Sequence, residues 1–295
     1  MDDVIRVLSL GAGVQSSTVL LMSVRGELPP LDAAIFSDTQ WEPPAVYRHL
    51  DWLAKQAQTA GIAVHRVSAG NLRSDALRSE VRNSTRWASM PLYTFPPTGR
   101  RLADGTADPR DVGMIRRQCT KEYKIVPVRQ AIRRHVLGVS PRARVRAGAV
   151  ELWMGISEDE ITRMSRSSVQ YIVHRHPLIE WVKGPRRRLF PSGYNREDCL
   201  TWLHRHGYPE PPRSACIGCP FHSDEEWLAI KTDPEAWADA CAFDAAIRRR
   251  DGHRGELYLH EACVPLDEVS LDHGSRSRRG GPGGFQQECV GVCGV

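Results

Sequence analysis

Two kinds of residue in this chain are spaced to do chemistry: small residues that can cradle an anion, and cysteines that can bind a soft metal. Residues 9–18 read Ser9-Leu10-Gly11-Ala12-Gly13-Val14-Gln15-Ser16-Ser17-Thr18 and follow an apolar run. Glycine lets the backbone approach a phosphate with no Cβ in the way. A helix that starts there points unpaired N–H groups and its positive dipole end at the anion. The hydroxyls of Ser16, Ser17 and Thr18 can add hydrogen bonds. The run lacks the Gly-Lys-Ser/Thr close of a Walker loop, and Ser16 stands where the dinucleotide fingerprint needs glycine. The alternative is a plain strand-to-helix turn with a serine cap.

The chain holds eight cysteines, and four of them form two close pairs, Cys216/Cys219 and Cys289/Cys293. The start, Met1-Asp2-Asp3, is acidic and runs into a strand pattern, so no secretory signal is expected and the cytoplasm is the expected location. A reducing compartment keeps thiols free, which favours metal or redox chemistry over a disulfide framework. Cys216-Ile217-Gly218-Cys219-Pro220 places two thiolates where one metal centre can take both. Ligand softness admits an iron–sulfur cluster or zinc, and a redox-active thiol pair is a third reading. Cys199 and Cys241 fall in helical patterns with apolar neighbours and read as buried thiols.

The elements that must position these groups follow from periodicity. Strands are expected at residues 4–10, 33–36 and 62–67, alternating with helices at 16–25 and 44–60, where Val46, Leu50, Leu53 and Ala57 recur at helical spacing. Strand-helix-strand alternation implies an α/β fold: a Rossmann-like parallel sheet with helices on both faces and right-handed crossovers. Strand signals resume at 145–155 and 170–173, and helices are expected at 196–206, 224–231 and 234–250. Residues 83–117, rich in Pro and Gly and carrying Trp87, Tyr93, Phe95, Arg100, Arg101, Arg116 and Arg117, read as a substrate-covering loop. The composition divides the chain into a nucleotide-binding α/β domain (1–182), a small mostly helical region with the Cys-x-x-Cys pair (183–271) and a Ser/Arg/Gly-rich tail (272–295).

Net charge is +5. Arginines 129, 133, 134, 142, 144 and 146 form one basic group, and Lys183 with Arg186, Arg187 and Arg188 a second. Both suit phosphate-bearing partners, including a nucleic acid, and both also read as solvated faces. No run approaches the roughly 20 apolar residues that span a bilayer, so no membrane partner is expected. Glu158, Asp159 and Glu160 suit either Mg²⁺ binding or a helix N-terminal cap. His174, His176, His222 and His260 read as surface or core histidines.

Taken in order, these pieces resemble the PP-loop superfamily of ATP pyrophosphatases and phosphoadenosine phosphosulfate reductases, over roughly residues 4–221. Gly11, Ala12, Gly13, Val14, Gln15 and Ser16 take the six places of its Ser-Gly-Gly-x-Asp-Ser loop, with Gly13 and Ser16 matching. Gln15 stands where many ATP-splitting members carry Asp, which is similar to the reductase branch. Phe36-Ser37-Asp38-Thr39 resembles the family's segment after the second strand, and Cys119 with Lys124 and Pro127 resembles its Cys-x-x-x-x-Lys-x-x-Pro segment. Gly155 to Glu160, with Arg163, resembles a later segment lining the active site.

The resemblance implies that Ser9, Gly11, Ala12, Gly13, Gln15, Ser16, Ser17, Phe36, Asp38, Thr39 and Gly155 hold ATP or a sulfonucleotide. It implies that Lys124, Arg116 and Arg163 meet its anionic groups. It also implies a [4Fe–4S] cluster on Cys119, Cys216 and Cys219, with zinc as the alternative. The family's usual Cys-Cys doublet is Gln118-Cys119 here, so the fourth ligand falls to Cys293, Cys289 or Cys263. The segment Glu288-Cys289-Val290-Gly291 partly resembles the reductases' nucleophilic Glu-Cys-Gly-Leu-His tail but lacks the His. The implied activity is adenylation of a substrate by ATP for sulfur transfer, on a nucleic acid or nucleotide, with a sulfur donor or thiol reductant protein as partner. Sulfonucleotide reduction is the second reading. A nucleotide-sensing or nucleic-acid-binding protein with a structural metal is the third.

Overall fold

Successive residues of a strand face opposite sides of a sheet, and in strand β1 (Ile5–Leu10) both sides are covered. Val7 joins one apolar cluster with Ile35, Leu152 and Met154, while Leu8 and Leu10 join another with Ala34, Phe36 and Trp153. The computed structural model describes residues 4–78, 90–183, 193–250 and 253–271, which fall into two compact units.

The first unit takes in the described residues of Met1–Ala69 and Thr120–Ala215. Here β1, β2 (Ala33–Ser37), β3 (Ala63–Val67), β6 (Val150–Met154) and β7 (Ile172–Arg175) form a parallel sheet in the order β3-β2-β1-β6-β7. Helices α1 (Val14–Val24), α2 (Pro44–Thr59) and α6 (Arg196–Arg205) share the Leu8–Phe36 core, and α4 (Val126–Ala131) fills the opposite face. The expected α/β fold, Rossmann-like with helices on both faces, is therefore the fold observed. The order reverses between β1 and β6, which creates the switch point where such sheets open a crevice at their carboxyl ends.

The second unit takes in the described residues of Gly70–Cys119 and Cys216–Cys289. It packs α3 (Leu72–Leu77), α7 (Asp224–Lys231) and α8 (Pro234–Ile247) with an antiparallel sheet in the order β5-β4-β8, formed by Gly113–Met114, Tyr93–Phe95 and Glu256–Tyr258. Asp244 holds this unit together from inside α8. Its carboxylate accepts from the backbone N–H groups of Leu259 and Leu266 and from Arg248. Burial pushes that carboxyl above its usual range, against the pull of Arg248.

Two expectations change here. The compact units cut the chain differently from the composition-based division at residue 182: residues 70–119 group with 216–289, and α6 groups with the first unit. The stretch at 83–117 is not purely a loop: Tyr93–Phe95 pairs with Glu256–Tyr258, a partner far along the chain that local periodicity does not reveal. Residues 79–89, with Trp87, lie outside the described residues, as do Arg186, Arg187 and Arg188. Cys199 is fully buried as expected, whereas Cys241 is half-buried on α8. Among the described residues no helix is long and apolar enough to cross a membrane.

Candidate functional site

The loop that leaves β1 turns at Ala12, whose φ of +57° lies in the left-handed region that favours glycine. Gly13 caps α1 with no side-chain bond to the helix start, so the first N–H groups of α1 are not capped by the Gly13 residue. Ser16 ties the loop to itself: its Oγ accepts from Gly11 N–H at 3.2 Å and donates to Gly13 O at 3.3 Å. Ser17 Oγ lies 3.0 Å from His49 Nε2 on α2, and Thr18 Oγ1 donates to Val14 O at 2.9 Å. Burial lowers the His49 pKa to about 4, so this imidazole is neutral at pH 7. An anion at this loop would therefore meet backbone N–H groups, because the three hydroxyls are used in shaping the loop.

Across the switch point, Gly155 follows β6 and presses against this helix start. A Cβ there would sit 2.7 Å from Ser16 N and 2.8 Å from Ser16 Cα. Just beyond it, Gln15 Nε2 donates to Ser157 Oγ at 3.3 Å and to Glu160 Oε2 at 3.4 Å. Glu160 is also ion-paired with Arg163. The acidic trio is thus built into local structure, since Asp159 Oδ1 accepts the Arg196 backbone N–H at 3.2 Å. A neutral amide at position 15 is what lets a carboxylate approach. Gln15→Glu should set two carboxylates against each other in a buried place and cost about 2 kcal/mol at pH 7. Denaturation midpoints of the full chain at pH 7 and pH 4.5 check this. The deficit should shrink at the lower pH as the pair takes up a proton, and an equal deficit at both would rule out charge repulsion.

After β2, Asp38 is 4% exposed and engaged on both oxygens. One accepts from Gln40 N–H at 2.7 Å and Tyr47 OH at 2.9 Å, the other from Arg66 Nε and Nη2 at 3.0 and 2.8 Å. Thr39 Oγ1 donates to Glu42 Oε1 at 3.3 Å, and Glu42 lies 3.9 Å from Lys124 Nζ. Asp38 and Thr39 therefore shape the turn beside the loop.

Lys124 lies in the π-helical turn Lys121–Ile125 that leads into α4. Pro127 causes a fault in this helix. It has no N–H to give the carbonyl of Tyr123 four residues before it, and that carbonyl accepts instead from Ser37 Oγ at the end of β2, at 2.6 Å. Ser37→Ala should cost about 1–2 kcal/mol, read as a lower urea midpoint, and should loosen the turn that carries Lys124. An unchanged midpoint would mean that water replaces the bond.

These elements enclose a cleft lined by Ser9, Leu10 and Gly11 of the loop region, Phe36, Ser37 and Glu42, Lys124, Ile125, Val128 and Arg129 of the helix, and Leu152, Met154, His174 and Ser214. Sequence reasoning singled out Ser9, Gly11, Phe36 and Lys124 for this site, and the fold brings them together. It missed His174 and Ser214, and it placed Arg129 only in a basic group. Arg129 makes no hydrogen bond or ion pair with a described residue, so its guanidinium is available to an anion. Its neighbour Arg133 is structural: it donates to Ser140 O and Ala143 O at 2.8 and 2.7 Å. The detectable signal for His174 was its place just past an expected strand, toward the carboxyl end of the sheet.

Arg116, Cys119, Cys216 and Cys219 belong to the second unit. Arg116 is exposed there. Cys216 and Cys219 are buried in a turn closed by Cys219 N–H to Cys216 O at 3.0 Å. His222 braces the same turn, with Nε2 2.9 Å from Cys216 O and Nδ1 3.4 Å from the Glu226 carboxylate. Cys263 is fully buried at a φ of +48°, and burial pushes its thiol up to about 12. Among the described residues no three His, Cys, Asp or Glu side chains gather to hold a metal ion. Cys289 and Cys293 lie outside the described residues.

The strand order, the loop at the switch point and the adjoining cleft define a doubly wound α/β protein with a crevice lined by Lys124 and Arg129 at the carboxyl ends of its strands. No protein-family model matches the chain, and no curated protein matches it. Among solved structures it is similar to phosphoadenylyl-sulfate (PAPS) reductase from Candida auris, solved as a phosphate complex. The TM-score is 0.36 and the identity 12%, over 70% of this chain and 74% of that one.

Proposed function

We propose that this chain is an adenine-nucleotide-binding enzyme of the PP-loop type. In this reading it adenylates an oxygen of a nucleic acid or nucleotide with ATP, for replacement by sulfur. The observation that carries the reading is the glycine loop and open helix start at the switch point, with Lys124 and Arg129 in the adjoining cleft. Phosphates rest on the N–H groups that start α1. The substrate oxygen attacks the α-phosphorus, the bond to the β-phosphate oxygen breaks, and pyrophosphate leaves. A sulfur nucleophile from a donor then displaces AMP. Lys124 and Arg129 offset charge that develops on the phosphoryl oxygens. Arg163, held by Glu160, acts by positioning Gln15 and the loop.

A second reading, reduction of a sulfonucleotide, is favoured by one observation. Gln15 gives the loop no carboxylate for Mg²⁺, and its amide is occupied by Ser157 and Glu160. Release of pyrophosphate from ATP supports the first reading, and release of sulfite from a sulfonucleotide in the presence of a thiol reductant supports the second. Purified protein that binds neither nucleotide would remove both.

For the cysteines we propose thiolate ligation of a [4Fe–4S] cluster by Cys119, Cys216 and Cys219, with zinc as the alternative occupant. The donor chemistry fits a soft metal, and Cys216 and Cys219, two thiols at Cys-x-x-Cys spacing, are buried in one turn. Among the described residues no three such side chains gather, so in this reading metal binding draws Cys119 to the pair, and the fourth place falls to Cys289, Cys293 or Cys263. Such a cluster supplies electron transfer or a labile sulfide. Iron and acid-labile sulfide in anaerobically purified protein support it; stoichiometric zinc without iron removes it.

A further inference from the structure

The cleft beside the loop has two characters. Its lining combines the loop's backbone N–H groups and the cations Lys124 and Arg129 with the apolar side chains of Leu10, Phe36, Val128, Leu152 and Met154. Phosphates belong to the first part and cannot be solvated by the second. A flat aromatic base suits the second, and the polar group there on the edge strand is His174.

His174 has a fixed tautomer. Its Nδ1 lies 2.8 Å from Ser165 O, a carbonyl that can only accept, so Nδ1 carries the proton. Burial, then His176 and Arg129 nearby, lower its pKa and keep the ring neutral, against the Ser165 bond. Nε2 then holds an unshared lone pair, and among the described residues it has no hydrogen-bond partner. A pure acceptor on an apolar wall complements a donor on a flat ring. Adenine offers one in its exocyclic amine; guanine presents a carbonyl at the same position, and lone pairs would face each other.

We propose that His174 selects the base of the bound nucleotide, accepting the adenine amine on Nε2. This rests on the nucleotide-binding reading above and adds to it a specificity-determining residue. Its hydrogen bond should make the unmodified chain bind ATP about tenfold more tightly than purine riboside triphosphate, which lacks the amine. GTP should bind no better than the latter.

The test is equilibrium binding of these three nucleotides to the full chain and to His174→Ala and His174→Gln. In His174→Ala the preference for ATP over purine riboside triphosphate should fall to about twofold or less, the affinity for the latter staying nearly constant. His174→Gln, which keeps an acceptor, should retain part of the preference. A preference near unity in the unmodified chain overturns the proposal without any variant. So does a preference that survives His174→Ala. If the unmodified chain binds none of the three, the nucleotide reading itself falls, an outcome distinct from binding without discrimination.

Discussion

Gly155→Ala is expected to abolish measurable nucleotide binding and to destabilise the first unit by about 3 kcal/mol or more. The reason is contact, not backbone conformation. The added methyl would lie 2.7 Å from Ser16 N, 2.8 Å from Ser16 Cα and 3.0 Å from the Gln15 carbonyl carbon. These are backbone atoms of the first turn of α1, and ten residues of that helix, Val14 to Ser23, are buried. No flexible side chain can give way, so either α1 moves off β6 or β6 shifts in the sheet. Moving α1 displaces the N–H groups that would meet the phosphates and breaks the Gln15 bonds to Ser157 and Glu160. Thermal melting and ATP affinity of the variant check this together. A variant that melts and binds like the parent would show that the helix start is not seated by this contact.

Asp38→Ala is expected to cost about 2–3 kcal/mol while changing nucleotide affinity less than about threefold. Removing the carboxylate strands the hydroxyl of Tyr47 and the N–H of Gln40, which is held at a φ of +57°. The Arg66 share is smaller than its two short bonds suggest. That side chain is 51% exposed, so water screens the charge and solvates it once the partner is gone. Tyr47 gains most from the pair: burial, followed by the neighbouring carboxylates, holds its phenol far above the ordinary range and keeps it a donor. Asp38→Asn should recover about half the loss, because its oxygen still accepts from Tyr47 and Gln40. Urea unfolding measures the first quantity and nucleotide titration the second. A tenfold loss of affinity at near-parental stability would make Asp38 a direct ligand, as the sequence resemblance implies.

The contrast between Asp38 and Gly155 shows how far residue types could be read. Both were expected to hold the nucleotide. Gly155 abuts the start of α1 because a missing Cβ is a property of the residue itself, whichever neighbour needs the room. Asp38 does reach the carboxyl end of β2, but which partner its carboxylate takes depends on Arg66 on β3 and Tyr47 on α2. Arg163 follows the same logic, since an arginine near the crevice is spent on Glu160, while Arg129, on the face of α4, is available. His174 was passed over because a lone histidine carries no spacing signal. Its significance comes from the Ser165 carbonyl that fixes its proton and from the apolar walls beside it.

What the amino-acid order determined alone was local. Short continuous apolar runs, helical spacing on α2 and small residues after β1 are properties of neighbours within a few positions, and the β-α-β-α-β start followed from them. The resemblance of the loop, the Asp38 segment and the Cys119–Lys124 segment was legible for the same reason. What the tertiary structure decided was every pairing across the chain. It set β1 between β2 and β6, and it joined Tyr93–Phe95 to Glu256–Tyr258. It also turned Ser37 to the Tyr123 carbonyl, to which Pro127 has no N–H to give, and it brought His174 and Arg129 into the cleft with the loop. Contacts of this kind form only when the chain closes on itself. Whether a polar side chain is spent on a neighbour or left for a ligand is therefore settled by burial and partner geometry.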